Sequence, residues 1–364
     1  HIVHLAMEPL GQPLHQTRLR RRQIHASHAN LGKSQFAGPA LHQRNQLTAA
    51  QHTPRIVGSE PTSALAQRQP PHPSAFAARQ LIFAHAALCD VEGQKLRHGQ
   101  RMARAGLGLA GASENDTDVH LNDWYLQRRP VPGRSASEAS RYSALLSSQD
   151  FTLDLEFDST QPLLLQGLNG LSRKGPREEQ ASYYYSQPQL EVGGSITVGG
   201  QQLPVQASAH NRAWLDHECS AAIMDPEAQG WDWIGMNLDD GSALTAFHLR
   251  RRNGSALWAG GSFRAPNQSA QIFAADQVRF KPLRHWSSPH SKASYPVAWS
   301  VQTPAGRFEV HALVDDQELD SRASTGAIYW EGLCELRSIG SDGKSRRVGS
   351  GYLEMTGYAN ALRL

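Results

Sequence analysis

The run Ala213-Trp214-Leu215-Asp216-His217-Glu218-Cys219 gathers two carboxyl groups, an imidazole and a thiol beside an indole. Successive side chains of a strand point to opposite sides, so Trp214, Asp216 and Glu218 share one face and Leu215, His217 and Cys219 the other. Alternating indole and carboxyl groups are a costly way to fill a plain core. They suit a pocket wall, where the indole packs on a ligand and a carboxyl group shielded from water keeps a proton it can donate. A solvated barrel edge is the competing explanation. Asp216 and His217 reach one cavity only if a bulge intervenes.

Trp231-Asp232-Trp233 sets another acid between two indoles, either as core packing with Asp232 tied to a neighbouring amide or as part of a site. Tyr183, Tyr184 and Tyr185 are consecutive and cover both faces of a strand. At least one is therefore buried and needs a hydroxyl partner, to orient a substrate or to anchor a barrel corner. Tyr352, Glu354, Thr356 and Tyr358 would share a face opposite Leu353 and Met355, and Tyr329-Trp330-Glu331 is similarly strand-like. A polar inner face suits a ligand barrel, while a polar outer face is ordinary. Asp315, Asp316, Glu318 and Asp320 crowd together as in a solvated loop or beside arginine partners.

Several chemistries lack their residues. His217-Glu218 begins like a zinc-protease motif, but Ala221 stands where the second His is required. Residues 322–326 read RASTG, without the first Gly of a nucleophile elbow, and Lys174-Gly175 lacks the glycine spacing of a phosphate loop. Cys89, Cys219 and Cys334 are far apart and odd in number, which indicates neither a disulfide framework nor a zinc ribbon. No metal and no cofactor is expected.

The elements that must position these residues are short strands. Thirty-one Gly, twenty Pro and eight Trp among 364 residues point to many turns with aromatic-rich strands between them. Residues 151–157 alternate strictly, with Phe151, Leu153, Leu155 and Phe157 on one face. Residues 231–238 and 243–250 flank Asp239-Asp240-Gly241 as a hairpin. Further strands are expected at 80–87, 119–127, 182–185, 189–192, 195–198, 203–207, 256–263, 277–280, 295–301, 307–313, 327–336 and 348–357. Helical periodicity is confined to 94–105 and 135–146. So many short antiparallel strands must close or stack to hide their edges, giving an all-β chain of barrels or sandwiches.

Residues 1–70 are different in kind. They hold seven His, no Asp, Tyr or Trp, and a charge of +6, against −3 for the rest of the chain. The mildly acidic remainder gives no support to a nucleic-acid partner. Neither a helical nor a strand period persists in the segment, which suits a disordered basic arm or, better, an out-of-frame translation. Arg18 to Arg22 is not followed by the apolar stretch of a signal peptide.

The combined motifs SRKGP (172–176), ASYYYS (181–186), AWLDHE (213–218), GWDWIGMNLDDGSAL, DDQELDSRASTGAIYWEG and GYLEMTGY resemble one family. It is the lipocalin-like group often labelled secreted hydrolases, which shares its fold with carotenoid 1,2-hydratases (hydroxyneurosporene synthases). The resemblance covers residues 73–364. It implies two packed lipocalin-like, calycin-type barrel domains (73–221 and 222–364) with few short helices, after an anomalous segment 1–72. It also implies a periplasmic or secreted envelope protein whose partner is a carotenoid, isoprenoid or lipid, with peripheral contact to the membrane or a transporter.

For activity the resemblance implies cofactor-independent hydration of a terminal carotenoid double bond. Asp216 would protonate carbon 2, with Asp232 as substitute, and His217 or Glu218 would hold the water. Trp214, Trp231 and Trp233 would stabilise the cation, and Tyr183, Tyr185, Glu331 and Tyr352 would line the ligand site. A non-catalytic lipid carrier is the alternative, and a hydrolase, lacking a Ser-His-Asp set, ranks third. Two departures stand out: the family reads DHEW where this chain has Cys219, and its early Glu-Trp-Trp-Tyr signature is absent from residues 1–70.

Overall fold

The computed structural model describes residues 81–113, 115–220 and 225–361. The anomalous segment 1–72 lies outside them. Among the described residues the regular elements are all strands, apart from one 3-10 turn at Ala275–Gln277.

A hairpin comes first, β1 (Leu81–Asp90) and β2 (Lys95–Arg104), paired in unbroken register from Leu81 and Arg104 to Asp90 and Lys95. The first large sheet follows, beginning with β3 (Ala110–Ala112), β4 (Asp118–Leu121), β5 (Trp124–Pro130), β6 (Ser140–Ser147) and β7 (Phe151–Asp158). It continues with β8 (Leu164–Leu165), β9 (Leu171–Arg173), β10 (Ala181–Val198), β11 (Gln201–Pro204) and β12 (Arg212–Cys219). The order is β11-β10-β7-β6-β5-β4-β3, with β8, β9 and β12 also on β10. Because β10 runs for 18 residues, its two halves serve different neighbours. Its ladder with β12 shifts register between Gln187 and Leu190, and beside β7 the φ of +100° at Gly194 and the approach of the Asp154 carbonyl leave no room for a Cβ.

The second large sheet opens with β13 (Ala228–Leu238), β14 (Ala243–Arg251), β15 (Ala256–Arg264), β16 (Gln271–Phe273) and β17 (Arg279–Ser287). Its remaining strands are β18 (Ser294–Thr303), β19 (Gly306–Ala312), β20 (Glu318–Ser321), β21 (Ala327–Ile339) and β22 (Ser345–Met355). They lie in the order β16-β15-β14-β13-β22-β21-β19-β18-β17, with β20 on β21. Every pairing is antiparallel, and both sheets curl into lipocalin-like barrels.

Each barrel has its own core. Phe151, Leu153, Leu155 and Phe157 of β7 are all buried in the first, as their alternation requires, with Leu146 and Trp124. Ile234, Met236, Trp299, Trp330, Leu353 and Met355 build the second. A third apolar cluster joins residues of both sheets, Leu164 and Trp214 with Trp233, Phe247, Leu333 and Tyr352, and forms a seam between the barrels.

The two expected helices are strands. Residues 94–105 form β2, held residue for residue against β1. In 135–146, a turn closed by the Glu138 carboxylate on the Ser135 amide (2.9 Å) precedes β6, whose Tyr142, Ala144 and Leu146 alternate into the first core. Over a dozen residues an apolar pattern fits either period, and the ladder offered by neighbouring strands decides.

Candidate functional site at the seam

Strands β10 and β12 pair Tyr184 with Glu218, Tyr185 with His217 and Ser186 with Asp216. One face of this ladder turns to the first core, where Tyr185 stacks on His217 with ring centroids 5.0 Å apart. Tyr183 and Cys219 are paired on that same face. The other face turns to the seam. There Asp216 accepts from Tyr184 Oη (2.9 Å), Ser186 Oγ (2.6 Å) and Trp214 Nε1 (2.8 Å). Trp233 Nε1 of the second barrel donates to Tyr184 Oη at 3.1 Å, and its ring meets Trp214 edge to face. Burial, with Asp216 and Glu218 alongside, drives the Tyr184 hydroxyl well above the usual tyrosine range, so it stays a donor.

Cations and amides complete the link. Lys174 Nζ pairs with Glu218 at 2.8 Å and lies over the rings of Tyr184 and, from the second barrel, Phe247 (4.6 and 4.5 Å). Ser182 also donates to Glu218. Gln166 Nε2 reaches Ser186 Oγ and Thr245 Oγ1, while its Oε1 accepts from Ser262 (2.8 Å).

On the opposite wall, β13, β22 and β21 set Trp233, Glu354 and Glu331 in one row and Gly235, Tyr352 and Leu333 in the next. Leu353 and Met355 alternate into the second core, so this row is the barrel's outer face, covered by the first barrel and the hairpin. There β1 lays His85 against it. His85 Nδ1 lies 2.8 Å from Tyr329 Oη, and Nε2 lies 2.8 Å from Ser324 Oγ. Ser324 spends its proton on Gln100 Oε1 (2.6 Å), which makes Nε2 the protonated nitrogen and leaves Nδ1 to accept. Burial lowers the His85 pKa below the ordinary histidine value; Glu331 opposes this and His98 adds to it. His85, Gln317, Glu331 and Tyr352 wall a cavity of about 20 Å³. That is room for one water, which needs roughly 10–15 Å³.

The seam thus brings together Trp214, Asp216, Glu218 and Trp233 at one end and Glu331 and Tyr352 at the other, with Trp231 packed on its flank. It does not gather His217, Tyr183 and Tyr185, which the strand pleat sends to the opposite face. Nor does it include Asp232, which lies fully buried inside the second barrel. There it is held by His248 Nε2 (2.5 Å), Arg250 Nε (2.5 Å) and Tyr358 Oη (2.9 Å). Tyr358 leaves the face expected for it because the chain turns at Gly357, whose φ is +77°. Of the acids near 315–320, Asp315 pairs with Arg284 and Asp320 with Arg322, while Asp316 faces His290 and Glu318 accepts from Ser288 and Ser291. Tyr184 is a buried member of the tyrosine triplet with a hydroxyl partner, whereas His85 escaped the sequence reading, its one signal being its interruption of an apolar strand. Among the described residues no cluster of His, Cys, Asp and Glu fit to hold a metal occurs.

Two lipocalin-like barrels with an apolar seam that carries carboxyl, imidazole and indole groups define the class of protein. Residues 57–358 match the AttH-like family, and the chain belongs to it. The crystal structure of AttH from Nitrosomonas europaea is 47% identical, with a TM-score of 0.69 over 78% of this chain and 84% of that one. Kievitone hydratase from Nectria haematococca shares the fold at a TM-score of 0.58 and 16% identity, over 77% and 81% of the two chains. Kievitone hydratase of Fusarium solani subsp. phaseoli is 23% identical over 228 residues, 61% of this chain and 61% of that protein. The chain thus spans about three fifths of the length of that curated relative. The resemblance to a hydratase-related, lipocalin-like family holds.

Proposed function

We propose that this chain is a hydratase that adds water to an electron-rich double bond of a hydrophobic isoprenoid, such as the terminal bond of an acyclic carotenoid. The observation that carries this reading is the water-sized cavity walled by His85, Glu331 and Tyr352 beside an apolar, indole-lined seam. Relationship to two kievitone hydratases supports the reaction class.

In this reading His85 and Glu331 share one proton, and the form that carries it on Glu331 delivers it to the less substituted carbon, the π electrons forming the new C–H bond and leaving a tertiary cation. The faces of Trp214, Trp233 and Tyr352 stabilise that cation. The water adds through oxygen and loses a proton to Nδ1 of His85, which burial keeps unprotonated and which exchanges its hydrogen bond from Tyr329 for one from the water. Transfer of that proton from His85 to Glu331 across the shared cavity restores both groups, and the net change is addition of one water. The oxygens of Asp216 are already occupied by three donors, which suits an anion that fixes Tyr184, Ser186 and Trp214 rather than a donor to substrate.

The test uses the full chain with lycopene in detergent and deuterated water, followed by mass spectrometry. Expected is product carrying added water with deuterium at carbon 2. Glu331→Gln and His85→Gln should each lose about 10²–10⁴ of the rate. Lycopene recovered bound and unreacted would instead make the protein a carrier, and full activity in both variants would overturn the assignment of roles.

A further inference from the structure

A second feature concerns a charge rather than the cavity. Arg264, at the end of β15, is 8% exposed, yet its hydrogen-bond acceptors are neutral. Nη1 donates to the Leu163 carbonyl (3.1 Å) and Nη2 to Gln161 Oε1 (3.0 Å), while Gln161 Nε2 is itself spent on the Gly241 carbonyl (2.6 Å). Among the described residues no carboxylate pairs with it, and burial alone pulls its pKa down. A guanidinium withdrawn from water without a counter-charge is an expensive arrangement. Two hydrogen bonds also leave part of its five-donor fork unspent.

This side chain lines an open groove of about 570 Å³ between the 160–169 segment and β15–β16. That is the size of a ligand site. Leu163, Leu165, Ala270 and Ile272 give it an aliphatic strip among polar neighbours such as Asn169, Asn267 and Gln268, and Ile272 is 40% exposed at the rim. Leu164 and Ala270 also pack in the apolar seam, so groove and seam share a wall.

We infer that the groove binds an amphipathic anion, a carboxylate or phosphate on an apolar chain, with its charged head on Arg264 and its chain along Leu163, Leu165 and Ile272. The head supplies the missing counter-charge in bidentate form, and the chain covers the exposed aliphatic wall. This site stands apart from Glu331 and His85 and does not require that the chain perform a hydration.

Equilibrium binding of radiolabelled oleate and oleyl alcohol to the full chain tests it, with inorganic phosphate as competitor. Oleate should bind at least about tenfold more tightly than oleyl alcohol, because only the acid offers an ionised partner. Arg264→Gln should erase that preference. Ile272→Glu, a change at an exposed position that leaves the fold intact, should weaken oleate by about tenfold through like charge at the rim. Phosphate should not displace oleate. Equal binding of acid and alcohol, indifference to Ile272→Glu, or displacement of oleate by phosphate alone would each overturn the proposal. The wild-type comparison and the rim variant decide the matter even if Arg264→Gln fails to fold.

Discussion

Asp232 is buried with an imidazole, a guanidinium and a phenol on its two oxygens, and Arg250 also reaches the Thr356 carbonyl. Removing the charge strands Arg250 inside the barrel, so Asp232→Asn should cost about 3–5 kcal/mol in a denaturant melt. Loss below about 1 kcal/mol would show that the cluster is more hydrated than its geometry implies. His85 makes a prediction of opposite character. Its pKa is lowered on folding, so between the depressed value and the ordinary 6.5 the unfolded chain binds more protons than the folded one. Stability should therefore fall as pH drops through that window, and His98, also lowered by burial, adds to the effect. Melts above and below the window should show less pH dependence in His85→Gln than in the wild type. Cys89 titrates far from neutrality too: burial and then Asp90 raise its thiol to about 11. Alkylation near pH 8 should be slow and should quicken as pH approaches that value.

At the level of strands, the seam depends on one small residue. A Cβ on Gly235 would lie 2.4 Å from the Trp233 ring and 3.0 Å from that of Trp214. Gly235→Ala should destabilise the protein by about 1–3 kcal/mol and change its tryptophan emission, because the indoles must separate. Unchanged emission and stability would mean that the seam has slack. Where one face was apolar and the other polar, as in β7, or where a turn joined two strand-like runs, as at Asp239-Asp240-Gly241 between β13 and β14, the sequence made the strand plain. Residues 94–105 and 135–146 misled because spacing alone does not decide a short segment; the ladders with the neighbouring strands β1, β5 and β7 do. The site was half visible for the same reason. Trp214 with Asp216 and Trp231 with Trp233 follow from the pleat, and so does the exclusion of His217 from their face. That His85 meets Glu331 and Tyr352 follows only from the way a hairpin near residue 85 packs on strands more than two hundred residues away.

In the whole molecule the two barrels are joined by an apolar cluster with a polar thread through it, Asp216 to Tyr184 to Trp233 and Ser186 to Gln166 to Thr245. Such a thread specifies relative placement, since every member left unpaired would carry a desolvation cost. The β1–β2 hairpin is attached differently. Among the described residues its ladder is confined to its own two strands, and it meets the second barrel through side chains such as His85 and Gln100. Its detachment would break no rung of either large sheet. Ile82, Ala84 and Ala86 anchor the hairpin in the first core, so opening would expose these side chains but no ladder of the large sheets, and His85 is expected to sit on a segment that opens more readily than the barrels. Amides of Leu81–Asp90 should accordingly exchange with deuterium sooner than those of β13 and β22, and the frequency of that opening would set a ceiling on how many turnovers a second can contain.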